Sequence, residues 1–329
     1  MKLVVSLCLV LLSIIPATSQ TAAQTGSWVR QKAGTMAWLR SVFFLDHNRG
    51  WAVGSKGTLL RTVDGGQSWQ IRGASTSDIV RDIFFLDEQN GWLVCEVNVY
   101  ELKTVEQPRA YLMRTSDGGE SWKRVELKGF DVDSILVRAV FSRGGRGWAF
   151  GEHGAIYTTR DGGETWNRLQ SPTRRLLLGG IFVDDDRGWI VGAGATIIQT
   201  SDGGDTWYQS RLPEVDKAVR FTAASFVDNR TGWAVGSGGN VYRTDNGGRT
   251  WQKQESGVAV DLFDVKFVDA REGWAVGAEG TIIHTVDGGL RWTVERSETQ
   301  HPLERVFFTD KTRGWAVGFG GTVVAYHAK

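Results

Sequence analysis

The sequence predicts an all-β fold, a seven-bladed β-propeller of four-stranded antiparallel blades, on three observations. The first is a period. Gly-Trp pairs place Trp51, Trp92, Trp148, Trp189, Trp233, Trp274 and Trp315 at intervals of 41, 56, 41, 44, 41 and 41 residues, and self-similarity near a fixed period marks a repeat array. The second is a companion phrase, Thr-x-Asp-Gly-Gly-x-Ser/Thr-Trp. It ends at Trp69, Trp122, Trp166, Trp207, Trp251 and Trp292 and follows the Gly-Trp tryptophan by 18 residues in five repeats. The third concerns the missing seventh copy. The chain reaches Lys329 without it, but Trp28, preceded by Ser27, stands 23 residues before Trp51, the gap that also separates Trp69 from Trp92. The N-terminal segment is therefore expected to supply the outer strand of the last blade. Closing a ring in this way leaves no sheet edge for a stray strand.

In chain order, residues 1–19 read as a secretory signal peptide: Lys2, an apolar run from Leu3 to Ile15, Pro16, then small residues Ala17-Thr18-Ser19. The run is too short for a stable membrane span. Cys8 inside it does not look like a lipoprotein cysteine, and no other apolar run approaches membrane length. The mature chain, residues 20–329, is expected to be one exported, soluble propeller domain. In the first full repeat Val42-Phe43-Phe44 is short and apolar, as befits an innermost strand covered on both faces. Asp46 to Arg49 is a polar turn, and Trp51-Ala52-Val53 the second strand. Gly54-Ser55-Lys56-Gly57 is expected to be a hairpin turn whose glycines permit positive φ. Thr58 to Thr62 is the third strand, and Asp64-Gly65-Gly66 turns into the outer strand at Trp69.

Five further copies of the turn centre on Asp117, Asp161, Asp202, Asp245 and Asp287, the one at Asp245-Asn246 shifted in spelling. An Asp side chain can bond backbone two residues on, and the glycines relieve strain. Each regularly placed Trp contributes about 4–6 kcal/mol of gross burial, at roughly 150–250 Å² and ~25 cal/mol/Å². Fourteen of the fifteen Trp fall on the two repeated positions, so they read as packing skeleton rather than ligand platforms.

Composition excludes several classes. Forty-two Gly and five Pro suit a turn-rich sheet protein, and a net charge of +1 gives no reason to invoke nucleic acid. Only Cys95 lies beyond the signal segment, so no internal disulfide is expected; it stands where most repeats have Gly and reads as a small buried residue. The five His are scattered without ligand spacing, and no phosphate loop or nucleophile elbow is present. No metal and no cofactor is expected.

The Thr-x-Asp-Gly-Gly-x-Thr-Trp phrase resembles the Asp-box, or bacterial neuraminidase repeat, of sialidases, xyloglucanases and sortilin-type receptors. Together with Gly-Trp-Ala-Val-Gly, as at Gly50–Gly54 and Gly314–Gly318, and the 41-residue period, the chain resembles the photosystem II stability and assembly factor family over all seven repeats. That resemblance implies an exported seven-bladed scaffold that binds protein and acts in the thylakoid lumen. In a host without photosystems the location would be the periplasm or the extracellular space. The alternative is a sialidase- or glycosidase-like carbohydrate-active propeller. A sialidase needs a Tyr nucleophile near the inner strands, but Tyr157 and Tyr242 fall on third strands, Tyr208 follows a turn Trp and Tyr326 is near the C-terminus. A non-catalytic, monomeric scaffold is the favoured expectation.

Two features are candidate binding elements. The second repeat carries 12 extra residues between its second and third strands, the segment 96–110, with Val97, Val99 and Tyr100 among Glu101, Lys103 and Glu106. It is expected to extend a hairpin over the rim that holds the blade connections. In addition, an arginine recurs at or just before the inner strands: Arg40, Arg81, Arg138, Arg174 with Arg175, Arg220 and Arg305. Inner strands converge on the channel, so these residues are expected to form a basic ring at one mouth. Guanidinium forks suit carboxylates, and the resemblance implies an arginine patch that meets a precursor subunit. The partner is expected to offer an acidic segment or a free C-terminus. Local acids, Asp78, Asp82 and Asp133, are the competing partners for these arginines.

Overall fold

A computed structural model describes residues 26–328 except 99, 101, 103, 105, 106, 126, 130–133, 143 and 213–215. The expected signal peptide, with Val99, Glu101, Lys103, Glu106 and Asp133, lies outside the described residues.

Seven sheets form the blades of a β-propeller, each an antiparallel meander of four strands. Blade 1 consists of Leu39–Phe44, Gly50–Gly54, Leu59–Thr62 and Gln70–Ile71. The inner strands of blades 2 to 7 are Ile79–Phe85, Leu136–Phe141, Leu177–Phe182, Phe221–Phe226, Leu262–Phe267 and Leu303–Asp310. Blade 7 is completed by Ser27–Lys32, which pairs antiparallel with Thr322–His327, Trp28 opposite Tyr326. The ring is thus closed as expected, by strand exchange between the two ends of the chain. Blade 3 carries an unexpected fifth strand, Leu127–Lys128, parallel to its outer strand Trp166–Leu169.

One aromatic sandwich, repeated between neighbouring blades, explains the tryptophan code. The Gly-Trp indole of one blade lies flat on the Phe that ends the next inner strand: Trp315 on Phe44 at 3.5 Å, Trp148 on Phe182 at 3.4 Å, Trp233 on Phe267 at 3.4 Å. The turn Trp of that next blade meets the same Phe edge-on, as Trp69 does Phe44 at 5.9 Å. In blade 7 the place is taken by Trp28, edge-on to Phe308 at 5.8 Å. Edge-to-face and offset-stacked rings are the favourable arrangements. The Gly of each Gly-Trp pair is forced by this packing: a Cβ on Gly50 would sit 2.5 Å from the Phe44 ring.

The Asp-Gly-Gly turns also have a physical account. In blade 1 Thr62 Oγ1 donates to Asp64 Oδ1 at 2.8 Å and accepts from the Gly66 N–H at 2.8 Å. Asp64 in turn accepts from the Ser68 N–H at 2.9 Å and the Ser68 hydroxyl at 2.6 Å. Gly66 sits at φ +85°, a conformation that favours glycine. Two details differ from expectation. In blade 5 the turn is made by Asn246, which accepts from Thr244 Oγ1 at 3.0 Å, and not by Asp245; the Asp245 side chain falls one position early. In the Gly54–Gly57 turn the positive-φ residues are Lys56 and Gly57. Gly54 is needed instead because a Cβ there would collide with the Trp38 carbonyl.

Candidate functional site

Each of the seven inner strands slips its register near its start, skipping one residue: Leu39/Ser41, Val80/Asp82, Leu136/Arg138 and so on to Leu303/Arg305. Such bulges re-aim side chains, and here they face the channel entrance. Arg40, Arg81, Arg138, Arg220 and Arg305 line one depression of 290 Å³ at that mouth, beside Glu304. Five of the seven expected arginines are thus brought together from blades 1, 2, 3, 5 and 7. Arg174 and Arg175 are not. They are exposed in the turn ahead of blade 4, whose strand offers Leu178 to the mouth. The difference is position: Arg220 is the residue immediately before its strand, whereas Arg174 and Arg175 lie three and two residues ahead of Leu177–Phe182.

The mouth is also not the uncompensated basic ring expected from the sequence. Arg305 bonds Asp82 at 2.9 Å and lies 3.9 Å from Asp264. Arg138 reaches Asp264 at 3.4 Å, Arg40 reaches Glu304 at 3.4 Å, and Arg220 reaches Asp261 at 3.6 Å. Arg81 pairs with Glu96. Asp78, an expected competing acid, instead accepts from the Tyr111 hydroxyl at 2.7 Å and the Asn98 N–H at 3.1 Å.

These pairs form two tiers. The deeper tier joins Asp82, Arg138, Asp264 and Arg305 across the channel. Asp82 also accepts from the Ser41 hydroxyl at 2.6 Å and from the Ala139 N–H of the next blade at 3.2 Å. Asp264 accepts from the Val306 N–H of its next blade at 3.0 Å. Burial raises the pKa of Asp82, and it lifts Asp264 to about 6, against the pull of Arg138. A buried charge is tolerated only when paired and hydrogen-bonded, which accounts for the cross-channel network. The outer tier is reachable. The side chains of Arg40, Arg81 and Arg220 are 26%, 29% and 47% exposed, against 12% for Arg138 and Arg305.

Trp38, the one tryptophan off the repeat, belongs to this tier. Its indole N–H donates to Glu304 Oε1 at 2.9 Å, and the Arg40 guanidinium stacks over its ring at 3.7 Å. Phe319, 45% exposed, meets it edge-on at 5.3 Å. Sequence reasoning missed Trp38, Glu96 and Glu304 as parts of the mouth; Asp261 and Asp264 were legible only as the residues that replace the arginine in blade 6. The signal for Trp38 was present: it is the only Trp without a counterpart in the other repeats.

The blade 2 segment starts from strands of six residues, Gly91–Glu96 and Ala110–Thr115, and the Val97 N–H extends the ladder to the Arg109 carbonyl at 2.9 Å. Tyr100 is 94% exposed, whereas Leu102 packs against the core between blades 1 and 2. Cys95 is fully buried, and burial pushes its thiol up to about 12, which fits a packing role. Among the described residues no helix is long and apolar enough to cross a membrane, and no cluster of metal-ligating side chains occurs.

A closed seven-bladed ring with a recessed, charge-lined mouth defines a β-propeller. The chain belongs to the photosynthesis system II assembly factor YCF48 family, whose profile matches residues 20–79, 74–177, 169–257 and 253–327. Among solved structures, YCF48 from Cyanidioschyzon merolae superposes with a TM-score of 0.74 at 21% identity, covering 92% of this chain and 99% of that one. A structure described as YCF48 bound to D1 peptide gives a TM-score of 0.74 at 21% identity over 94% of this chain and all of that one. The xyloglucanase from Xanthomonas campestris shares the fold at a TM-score of 0.72 and 13% identity, with 92% of this chain matching 54% of that one. No curated protein matches the sequence.

Proposed function

We propose that this chain is an exported, non-catalytic scaffold that captures a protein partner at the channel mouth, by an acidic segment or a free C-terminus. One observation carries the reading: five arginines from five blades share one 290 Å³ depression, and three of them remain reachable from solvent. An incoming carboxylate would exchange for Glu304 on Arg40 and for Glu96 on Arg81, keeping each fork satisfied. Trp38 and Phe319 would hold the apolar part of the peptide. Arg138 and Arg305 serve the deeper tier and hold the blades in place. The family relation and the D1 peptide of the related structure support a photosystem II subunit as the partner class. The location that goes with it is the thylakoid lumen, or the periplasm in a host without photosystems.

The test is surface plasmon resonance against a D1-derived peptide, with a free or an amidated C-terminus, at low and high salt. Arg40→Gln with Arg81→Gln should leave the melting temperature unchanged, weaken binding by at least ~10-fold and flatten its salt dependence. Equal affinity for wild type and the double variant would refute the mouth as the binding site. Turnover of a fluorogenic sialoside or glucan would refute the non-catalytic assignment.

A further inference from the structure

The repeats allow the blade junctions to be compared position by position, and the junction of blades 4 and 5 reverses the charge found at three of the others. On the rim of the Asp-Gly-Gly turns, the residue after Gly-Gly is acidic in blades 2, 3 and 4, and in each case it neutralises an arginine of the preceding blade. Glu120 pairs with Arg61 at 2.7 Å, Glu164 with Arg114 at 3.2 Å, and Asp205 with Arg146 at 2.9 Å and Arg160 at 2.5 Å. At the junction of blades 4 and 5 the same position is Arg249, and it faces Arg187, the counterpart of Arg146. The turn carboxylate is replaced as well, by Asn246. The third-strand arginine, Arg61 or Arg114 elsewhere, is here Gln199.

These substitutions open a groove of 640 Å³ lined by Arg187, Arg230 and Arg249 with Gln199, Tyr208 and Asn229. Among the described residues no acidic side chain lines it. Among the described residues, none of the three guanidinium groups has a carboxylate within 4 Å, although the chain as a whole carries a net charge of only +1. The Arg230 Nε–H reaches only the Asp245 carbonyl, at 3.4 Å. The Tyr208 ring is 60% exposed at the groove wall. Three converging cations without an ion pair, Arg230 feeling only the field of nearby Asp228, cost stability, and departures from a local rule without an internal gain are expected at functional or strained sites.

We propose that the groove between blades 4 and 5 binds an organic phosphate or sulfate of about sugar size. The guanidinium forks would hold the oxyanion through parallel hydrogen bonds. The space is far larger than a bare tetrahedral ion needs. The rest of the ligand would lie along Tyr208 and bond the Gln199 and Asn229 amides. This site is on the opposite rim from the channel mouth and does not depend on peptide binding there.

The experiment is isothermal titration calorimetry at low salt. The probes are glucose 6-phosphate, a sulfated disaccharide, inorganic phosphate, inorganic sulfate and hexaglutamate. The variants are Arg249→Asp, which restores the acid found at the blade 3–4 junction, and Arg61→Gln at blades 1–2 as a control. Wild type and Arg61→Gln should bind at least one organic ester more tightly than the inorganic ions, and Arg249→Asp should lose ~10-fold or more while melting at or above the wild-type temperature. No binding of any probe by wild type, or unchanged binding by Arg249→Asp, would overturn the site. Equal affinity for ester and inorganic ion would overturn the organic ligand, and preference for hexaglutamate would reassign the groove to an acidic peptide.

Discussion

Ring closure rests on Trp28, and the substitution Trp28→Ala measures it. Trp28 is 4% exposed, lies 5.8 Å from the Phe308 ring and 5.4 Å from the Tyr326 ring, and donates its indole N–H to Glu295 Oε2 at 2.8 Å. Burial of an indole corresponds to about 5 kcal/mol of gross transfer free energy. Partial collapse of the cavity reduces the net cost to about 3–5 kcal/mol. For a chain of this length the entropy of unfolding is ~0.6 kcal/mol/K, so the melting temperature should fall by ~5–8 °C. Because Trp28 sits on the strand that seals the ring, the loss should be local first. Amide hydrogen exchange should accelerate along Thr322–His327, which pairs with Ser27–Lys32, before it changes in the inner strands. A melting temperature within 1 °C of wild type, or faster exchange spread evenly over all blades, would refute the closure argument.

Other expectations follow from the same geometry. Replacing residues 98–108 by the short turn of the neighbouring blades should cost under about 1 kcal/mol, and urea titration would show it; a larger loss would mean that the Leu102 contact with the core supports blade 2. Asp161→Asn should cost only about 1 kcal/mol by thermal melting at neutral pH, the difference between charged and neutral hydrogen bonds, because Asn246 keeps the equivalent bonds to Thr250, from its N–H at 3.0 Å and to its hydroxyl at 2.7 Å. The turn carboxylates also contribute to the acid sensitivity of the fold. Burial opposes ionisation of Asp161 and Asp202, but bonds from Thr165 and Thr206 hold both at about 2. Their folded pKa values lie below the unfolded value, so this stability is complete above about pH 4 and is lost as pH falls towards 2. The melting temperature should therefore drop steeply below about pH 4. A flat profile down to pH 2 would contradict it.

The repeating part of the molecule was legible in the chain. Blade number, strand order and the role of Trp28 follow from spacing, because every blade solves the same packing problem with the same Trp, Phe and Gly at fixed offsets. The turns were nearly as legible, failing where Lys56 rather than Gly54 takes the positive φ and where Asp245 and Asn246 compete for one position and only the backbone register chooses between them. The functional rims were not. Arg305 finds Asp82 across 223 residues, and Arg40 finds Glu304 across 264. No local pattern announces such pairs; closing the ring creates them, by bringing inner strands of distant repeats to one axis. The bulge in each inner strand then decides which residue faces that axis, admitting Arg138 and Arg305, while Arg174 and Arg175 lie ahead of their strand and stay outside. The sequence alone determined which residues repeat, since repetition is a one-dimensional property. Which charges meet, and which remain without a partner, was decided by the tertiary structure, because electrostatic compensation depends on distance in space.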